Sequence, residues 1–261
     1  MQLLSYLPIF KSLLATDLLL LKQTLKDKLI DLFIWIVTMV LVNTYLMPAF
    51  GLSQDYSGFL IASLIGSAGL FEVFASATNM ISDFTGLNIT SFYLTLPMPS
   101  WLVWIEKLVY FTINITIVSI LILPISKLLV WNQFSLAEFS LYKFIIVFLL
   151  SNIFSAAFAI WITTRIAGME QIGSVWMRFV YPVWFLGGFQ YSYEVLRNFN
   201  APLAWISLAN PMLYVMEGMR AAVLGQEGSL NFWFCCAMII FFTVLCTWHG
   251  LKRLKERLDY I

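Results

Sequence analysis

The stretch Asn210-Pro211-Met212-Leu213-Tyr214-Val215-Met216-Glu217-Gly218-Met219-Arg220-Ala221-Ala222-Val223-Leu224-Gly225 decides how the chain is folded. Asn210 is a helix cap, and Pro211 fits the first turn because its missing N–H would have been unpaired there anyway. Gly225 is a natural stop. The helix between them has about fourteen residues and reaches only about 21 Å at 1.5 Å per residue. A bilayer's hydrocarbon core is about 30 Å thick, so this apolar helix is too short to cross it. It also carries Glu217 and Arg220, three apart and placed to pair with each other. A short, capped, charge-bearing helix beside the Gly187-Gly188 break predicts a hairpin that enters the outer leaflet and returns.

The surrounding sequence sets that hairpin in a membrane. Of 261 residues, 61% are hydrophobic, 11% charged and 17% aromatic, with a mean hydropathy of +0.87. Soluble domains are nearer half apolar and a quarter charged. A soluble enzyme, a disordered chain and a disulfide scaffold are therefore excluded. A span needs roughly 20 apolar residues, and six stretches read as spans: 30–50, 57–81, 101–124, 141–164, 174–190 and 231–249. None alternates polar and apolar residues as a β-barrel strand does. No cleavable signal peptide is expected, because the first apolar stretch leads into more charge and no small-residue cleavage site.

Charge placement orients the spans. With six of them, both termini share a side with Lys11, Lys22, Lys26, Lys28, Lys107, Arg165, Arg178 and the terminal Lys252, Arg253, Lys255 and Arg257. Lys127, Lys143, Arg197 and Arg220 fall opposite, so the positive-inside rule makes both termini cytoplasmic. A seventh span would export the basic C-terminus. Leu14, Leu18, Leu21 and Leu25 recur at helical spacing with Lys22 and Lys26 on another face, which predicts an amphipathic helix lying at the cytoplasmic interface. The expected fold is all-α and polytopic, a single domain over 1–261. Its parts are a cytoplasmic amphipathic segment (1–29), a six-span bundle (30–249) with the re-entrant hairpin between spans five and six, and a basic tail (250–261).

Little in the chain carries catalytic chemistry. No Gly-rich loop ending in Lys-Ser/Thr exists to cradle phosphates, so no nucleotide site is expected. His249 alone builds no metal site, and Cys235, Cys236 and Cys246 sit in one apolar run as packing residues. Asp17, Asp27, Asp31, Asp55, Asp83 and Asp259 fall at span ends or in loops, which leaves no intramembrane pair for proteolysis. Neither a catalytic residue nor a metal ligand is assigned. Glu72, between Phe71 and Phe74, is the acid deep in a span; it reads either as a pathway residue or as an acid hydrogen-bonded to a neighbouring helix. Glu106 and Lys107 are one turn inside the third span, where snorkelling to the interface explains them.

The loop after the second span runs Asp83-Phe84-Thr85-Gly86-Leu87-Asn88-Ile89-Thr90-Ser91-Phe92-Tyr93-Leu94-Thr95-Leu96-Pro97-Met98-Pro99-Ser100. Asp83 or Thr85 is placed to cap a short helix, which Pro97 and Pro99 would halt. Without Lys or Arg, the helix offers Leu87, Phe92, Tyr93 and Leu94 as an exposed apolar surface for a protein contact.

An N-terminal amphipathic helix, six spans, a helix-Leu-x-x-Pro-x-Pro-Ser loop between spans two and three, the Leu-Gly-Gly-Phe break and Asn-Pro-x-x-Tyr-x-x-Glu-x-x-Arg together resemble the permease subunits of ABC-2 type ABC exporters. The resemblance covers essentially the whole chain. It implies a homodimer in the bacterial inner membrane, each protomer docking a separate ATPase subunit that holds the ATP and magnesium, while this chain binds no cofactor itself. Asp83, Phe84, Thr85, Leu87, Phe92, Tyr93 and Leu94 would form the coupling helix on that ATPase. Asn210, Pro211, Tyr214, Glu217 and Arg220 would form the re-entrant gate, and substrate would pass between protomers along spans one, two and five, by Glu72, Phe185 and Phe189. Membrane lipids are the other expected partner; nucleic acid is not. The aromatic residues from Trp176 to Tyr193 read either as an interfacial belt or as a surface for sugars, acyl chains or drugs; the Gly187-Gly188 break resembles that of drug- and lipid-exporting relatives, which implies a lipid-like, amphipathic or drug-like cargo. A polysaccharide or lipid-linked glycan, or ion-coupled secondary transport, is the alternative.

Overall fold

The computed structural model describes residues 2–46, 50–51, 56–87, 89–131 and 134–258, without the side chains of 2–5, 87 and 255–258. The described residues are helical throughout, joined by turns. Helix α1, Gln2–Leu41, is extended by a π-helical turn at Val42–Leu46. Helix α2, Tyr56–Ser82, ends in a second π turn at Asp83–Leu87 and leads to the short α3, Ile89–Leu94. Helices α4 (Ser100–Ser119) and α5 (Ile122–Leu129) follow nearly end to end, then α6, Leu141–Thr163. The C-terminal helix is the long Phe232–Leu258, here α12.

Five stretches are long and apolar enough to cross a membrane: Tyr6–Leu46, Tyr56–Gly86, Ser100–Leu129, Leu141–Thr163 and Phe232–Leu254. They coincide with five of the six predicted spans. Residues 174–190 differ. Helix runs there through α7 (Ile172–Val175), a π turn (Trp176–Val180) and α8 (Tyr181–Phe185), roughly 21 Å in all. It stops because Gly187 lies against Met212, where an added Cβ would come within 2.5 Å of that side chain, and because Gly188 has a φ of +81°. That left-handed backbone favours glycine and ends the helix.

The N-terminal amphipathic segment is likewise not a separate element. Leu14, Leu18, Leu21 and Leu25 do share a face, but α1 runs unbroken from Gln2 into the first span and lays that face on the bundle, with Leu13 and Leu21 buried. Both ends of the chain meet the same end of the bundle, called basal here. Leu13 packs with Tyr93, Met98 and Val103, and Leu254 with Met80 and Trp104.

At the centre, α2 and α6 clasp the helix α11, Pro211–Val223, whose residues 212–223 are all buried. Small residues permit the close approach. Gly66 faces Met216 and Met219, and an added Cβ on Gly69 would lie 2.5 Å from the Ser155 hydroxyl. Lipid tails are as apolar as leucine, so packing between membrane helices depends on such close contact rather than on expelled water. Where α1 and α2 meet Phe189, the interior leaves a void of only about 10 Å³.

Candidate functional site

Two clusters carry the residues singled out above, one at each end of the bundle. At the far end, α8 is followed by α9 (Tyr193–Phe199) and α10 (Ala201–Ser207), capped by the Ser192 and Asn200 side chains, and α11 then returns alongside α12. Asn210 starts α11 as expected. Its Oδ1 accepts from Met212 N at 3.0 Å, and its Nδ2 donates to Val183 O at 2.8 Å, fixing the helix start halfway up α8. Tyr214 donates its hydroxyl to Leu208 O at 2.6 Å.

Glu217 and Arg220 pair at 2.9 Å with 0% and 1% of each residue exposed. Their other partners define what the pair does. Glu217 accepts from the amides of Tyr193 at 3.0 Å and Leu230 at 2.9 Å. Arg220 donates to the Ser63 hydroxyl on α2 at 2.7 Å, to Tyr191 O at 3.2 Å, and to the Gly188 and Phe189 carbonyls. Its guanidinium lies 3.7 Å from the Phe59 ring centroid. One guanidinium thus ties α2, the glycine break and α11 together, a task for which its forked donors suit it and a lysine would not. Tyr56 adds a bond of 2.5 Å to Gln190 O.

At the basal end, Asp83 rather than Thr85 caps α3. Its two oxygens accept from Ile89 N at 2.6 Å and Thr90 N at 2.9 Å, while the Thr85 hydroxyl donates back to Ile81 O. Phe92 is 61% exposed, whereas Tyr93 is 5% exposed and Leu94 half-buried. The expectation that all three form the outer surface is therefore corrected. A helix of little more than one turn has opposite sides, and Tyr93 and Leu94 take the inner one with Leu13 and Val103. Phe84 packs edge-on to Trp104. The Leu87 side chain lies outside the described residues.

Behind α3 is an ionic brace. The Tyr93 hydroxyl donates to Asp17 at 3.3 Å, and Asp17 pairs with Lys107 at 2.5 Å, the ammonium lying 4.8 Å from the Tyr93 ring centroid. Burial first, and the Asp17 carboxylate second, push the Tyr93 phenol well above its ordinary pKa. Lys107 does not snorkel, because α1 covers that face of α4 and supplies the counter-ion. Glu106 beside it is fully buried, 3.8 Å from the same ammonium.

Between the clusters, Glu72 accepts from Lys28 at 2.6 Å and Asn114 at 3.1 Å, the hydrogen-bonded option of the two readings. Lys28 also donates to Asn114 at 3.1 Å. Phe185 is half-buried and Phe189 buried, both on Trp184, with centroids at 4.8 and 4.6 Å. Trp35, Phe71, Phe74 and Trp176 continue the same aromatic wall where α1, α2 and α8 meet. Lys28→Met should destabilise the chain more than Lys28→Met combined with Glu72→Gln, since the single change strands a carboxylate. A coupling of about 1 kcal/mol is expected in detergent-unfolding titrations; additive losses would show that the pair is not coupled. Among the described residues, no group of three or more His, Cys, Asp or Glu is placed to hold a metal.

No curated protein and no solved structure matches the chain. A family model described as ABC-2 type transporter matches residues 10–224, which takes in the first cluster, the second and the polar bridge between them. With most of its length matched, and with its apolar helices built around the buried helix α11, the chain belongs to the ABC-2 type transporter family and is a multi-pass membrane permease of that family.

Proposed function

We propose that two copies of this permease form the translocation path of an ATP-driven exporter in a bacterial inner membrane, with both termini cytoplasmic and a separate ATPase docked on α3 of each copy. ATP and magnesium belong to that partner. The observation that carries the reading is the asymmetry of α3: Asp83 caps it, Tyr93 is anchored through Asp17 to Lys107 behind it, and Phe92 is bare in front. A ligand shifts a conformational equilibrium only through its differential affinity for the two states. A helix rigidly joined to α1, α2 and α4 can pass such a difference on, and one that was loosely attached would dissipate it. In this scheme the Glu217–Arg220 knot sets the hairpin that dips from the outer surface and closes the mouth. The aromatic wall, interrupted by Lys28, Glu72 and Asn114, suits a lipid-like or amphipathic cargo with one polar part.

The test is reconstitution into vesicles with an ABC-type ATPase subunit that co-purifies with this chain. ATP should drive outward movement of a fluorescent phospholipid analogue, and omission of the ATPase should abolish it. Flux through the chain alone under an ion gradient would overturn the proposal.

A further inference from the structure

A second cavity lies away from the aromatic wall, between α8 and α10. It holds about 440 Å³ and is lined by Arg178, Pro182, Val183 and Leu186 on one side and Leu203 and Ile206 on the other. That volume is typical of ligand pockets, which run from about 300 to 1,000 Å³. Arg178 is exposed, and among the described residues it makes no ion pair and no side-chain hydrogen bond. Its position is defined by the fold. Ile172, at the start of α7, packs with Ile81 and Ile166 at the basal end, and six residues of helix place Arg178 roughly 9 Å above it. The π turn at Trp176–Val180 carries the arginine, and above it the cavity climbs α8 past Pro182 to Leu186.

A lone guanidinium beside an apolar cleft in a membrane helix is costly unless an anion meets it. We infer that this cavity is a binding site for an anionic phospholipid, with its phosphate on Arg178 and an acyl chain between α8 and α10. A basic residue lining a pocket between membrane helices is the physical requirement for recognising an anionic headgroup. A free phosphate would leave the apolar cleft empty. A second copy of the chain fits the charge less well, because the residues lining the cavity include no acid, and a two-fold axis through this face would bring in another unpaired arginine.

The experiment is native mass spectrometry of the full chain, purified in mild detergent and exchanged into an equimolar mixture of phosphatidylglycerol and phosphatidylethanolamine. The unmodified chain should retain phosphatidylglycerol about fivefold over phosphatidylethanolamine, the worth of one basic residue near an anionic headgroup. Arg178→Gln should abolish the preference, Arg178→Lys should keep most of it, and Leu203→Trp, which fills the cleft, should displace both lipids. Equal retention of the two lipids by the unmodified chain overturns the inference, whether or not the variants fold. So does an Arg178→Gln chain with its preference intact, and so does a Leu203→Trp chain that separates into monomers while lipid retention is unchanged.

Discussion

Arg220→Met should insert into the membrane yet unfold at markedly lower denaturant, and should transport nothing. Arg220 holds Ser63, Glu217 and three backbone carbonyls from a site 1% exposed. Hydrogen bonds between membrane helices average roughly 0.6 kcal/mol, so these contacts amount to about 3 kcal/mol. Removing one member of a buried ion pair costs about 3–5 kcal/mol by an independent route, since the other charge is stranded. The two estimates agree. Arg220→Lys should fall between, because a point charge cannot reach Ser63, Gly188 and Glu217 together. Adding Glu217→Gln to Arg220→Met should recover part of the loss. Unfolding of Arg220→Met at the wild-type detergent concentration would remove the knot from any structural role.

Phe92→Asp should behave in the opposite way, folding normally and failing to couple. The side chain is 61% exposed, and surface substitutions usually stay within about 0.5 kcal/mol. An aromatic anchor at a protein interface is worth about 2 kcal/mol or more, so affinity for the ATPase should fall about thirtyfold and ATP-dependent flux with it. Phe50→Asp provides the control: Phe50 is 83% exposed but lies at the far end, so ATPase binding should be unchanged. If Phe92→Asp bound the ATPase as the native chain does, α3 would not be the docking surface.

The parts of this fold that can be read from sequence are those set by neighbours along the chain. Glu217 and Arg220 are one turn apart, so their pairing follows from helical spacing, and Asn210-Pro211 marks its own helix start. Pairs such as Lys28 with Glu72 and Asp17 with Lys107 are 44 and 90 residues apart, and no periodicity reveals them. That gap also hides how α1 continues unbroken past its lysines. Lysines 22, 26 and 28 suggest a boundary near residue 29, but Lys28 is neutralised inside the bundle, and nothing between Leu18 and Leu41 is a glycine or proline that would stop the helix. The short segment at 172–185 looks long enough in sequence because apolar residues continue to Gly187, while the backbone turns at the glycines. In α3 the six residues are too few to show a face, which is why Tyr93 and Phe92 read alike until α1 is laid behind one of them.

The tightly filled interior has a genetic corollary. The void where α1 and α2 meet Phe189 is about 10 Å³, roughly the room one water requires, so that junction within one copy is too tight for cargo. On the two-copy scheme, function belongs to the pair, and inactive alleles become poisonous. Cells expressing equal amounts of native and Phe92→Asp chains would assemble native pairs only about a quarter of the time, so a folded but inert allele should be dominant, whereas one that is degraded before assembly should be recessive.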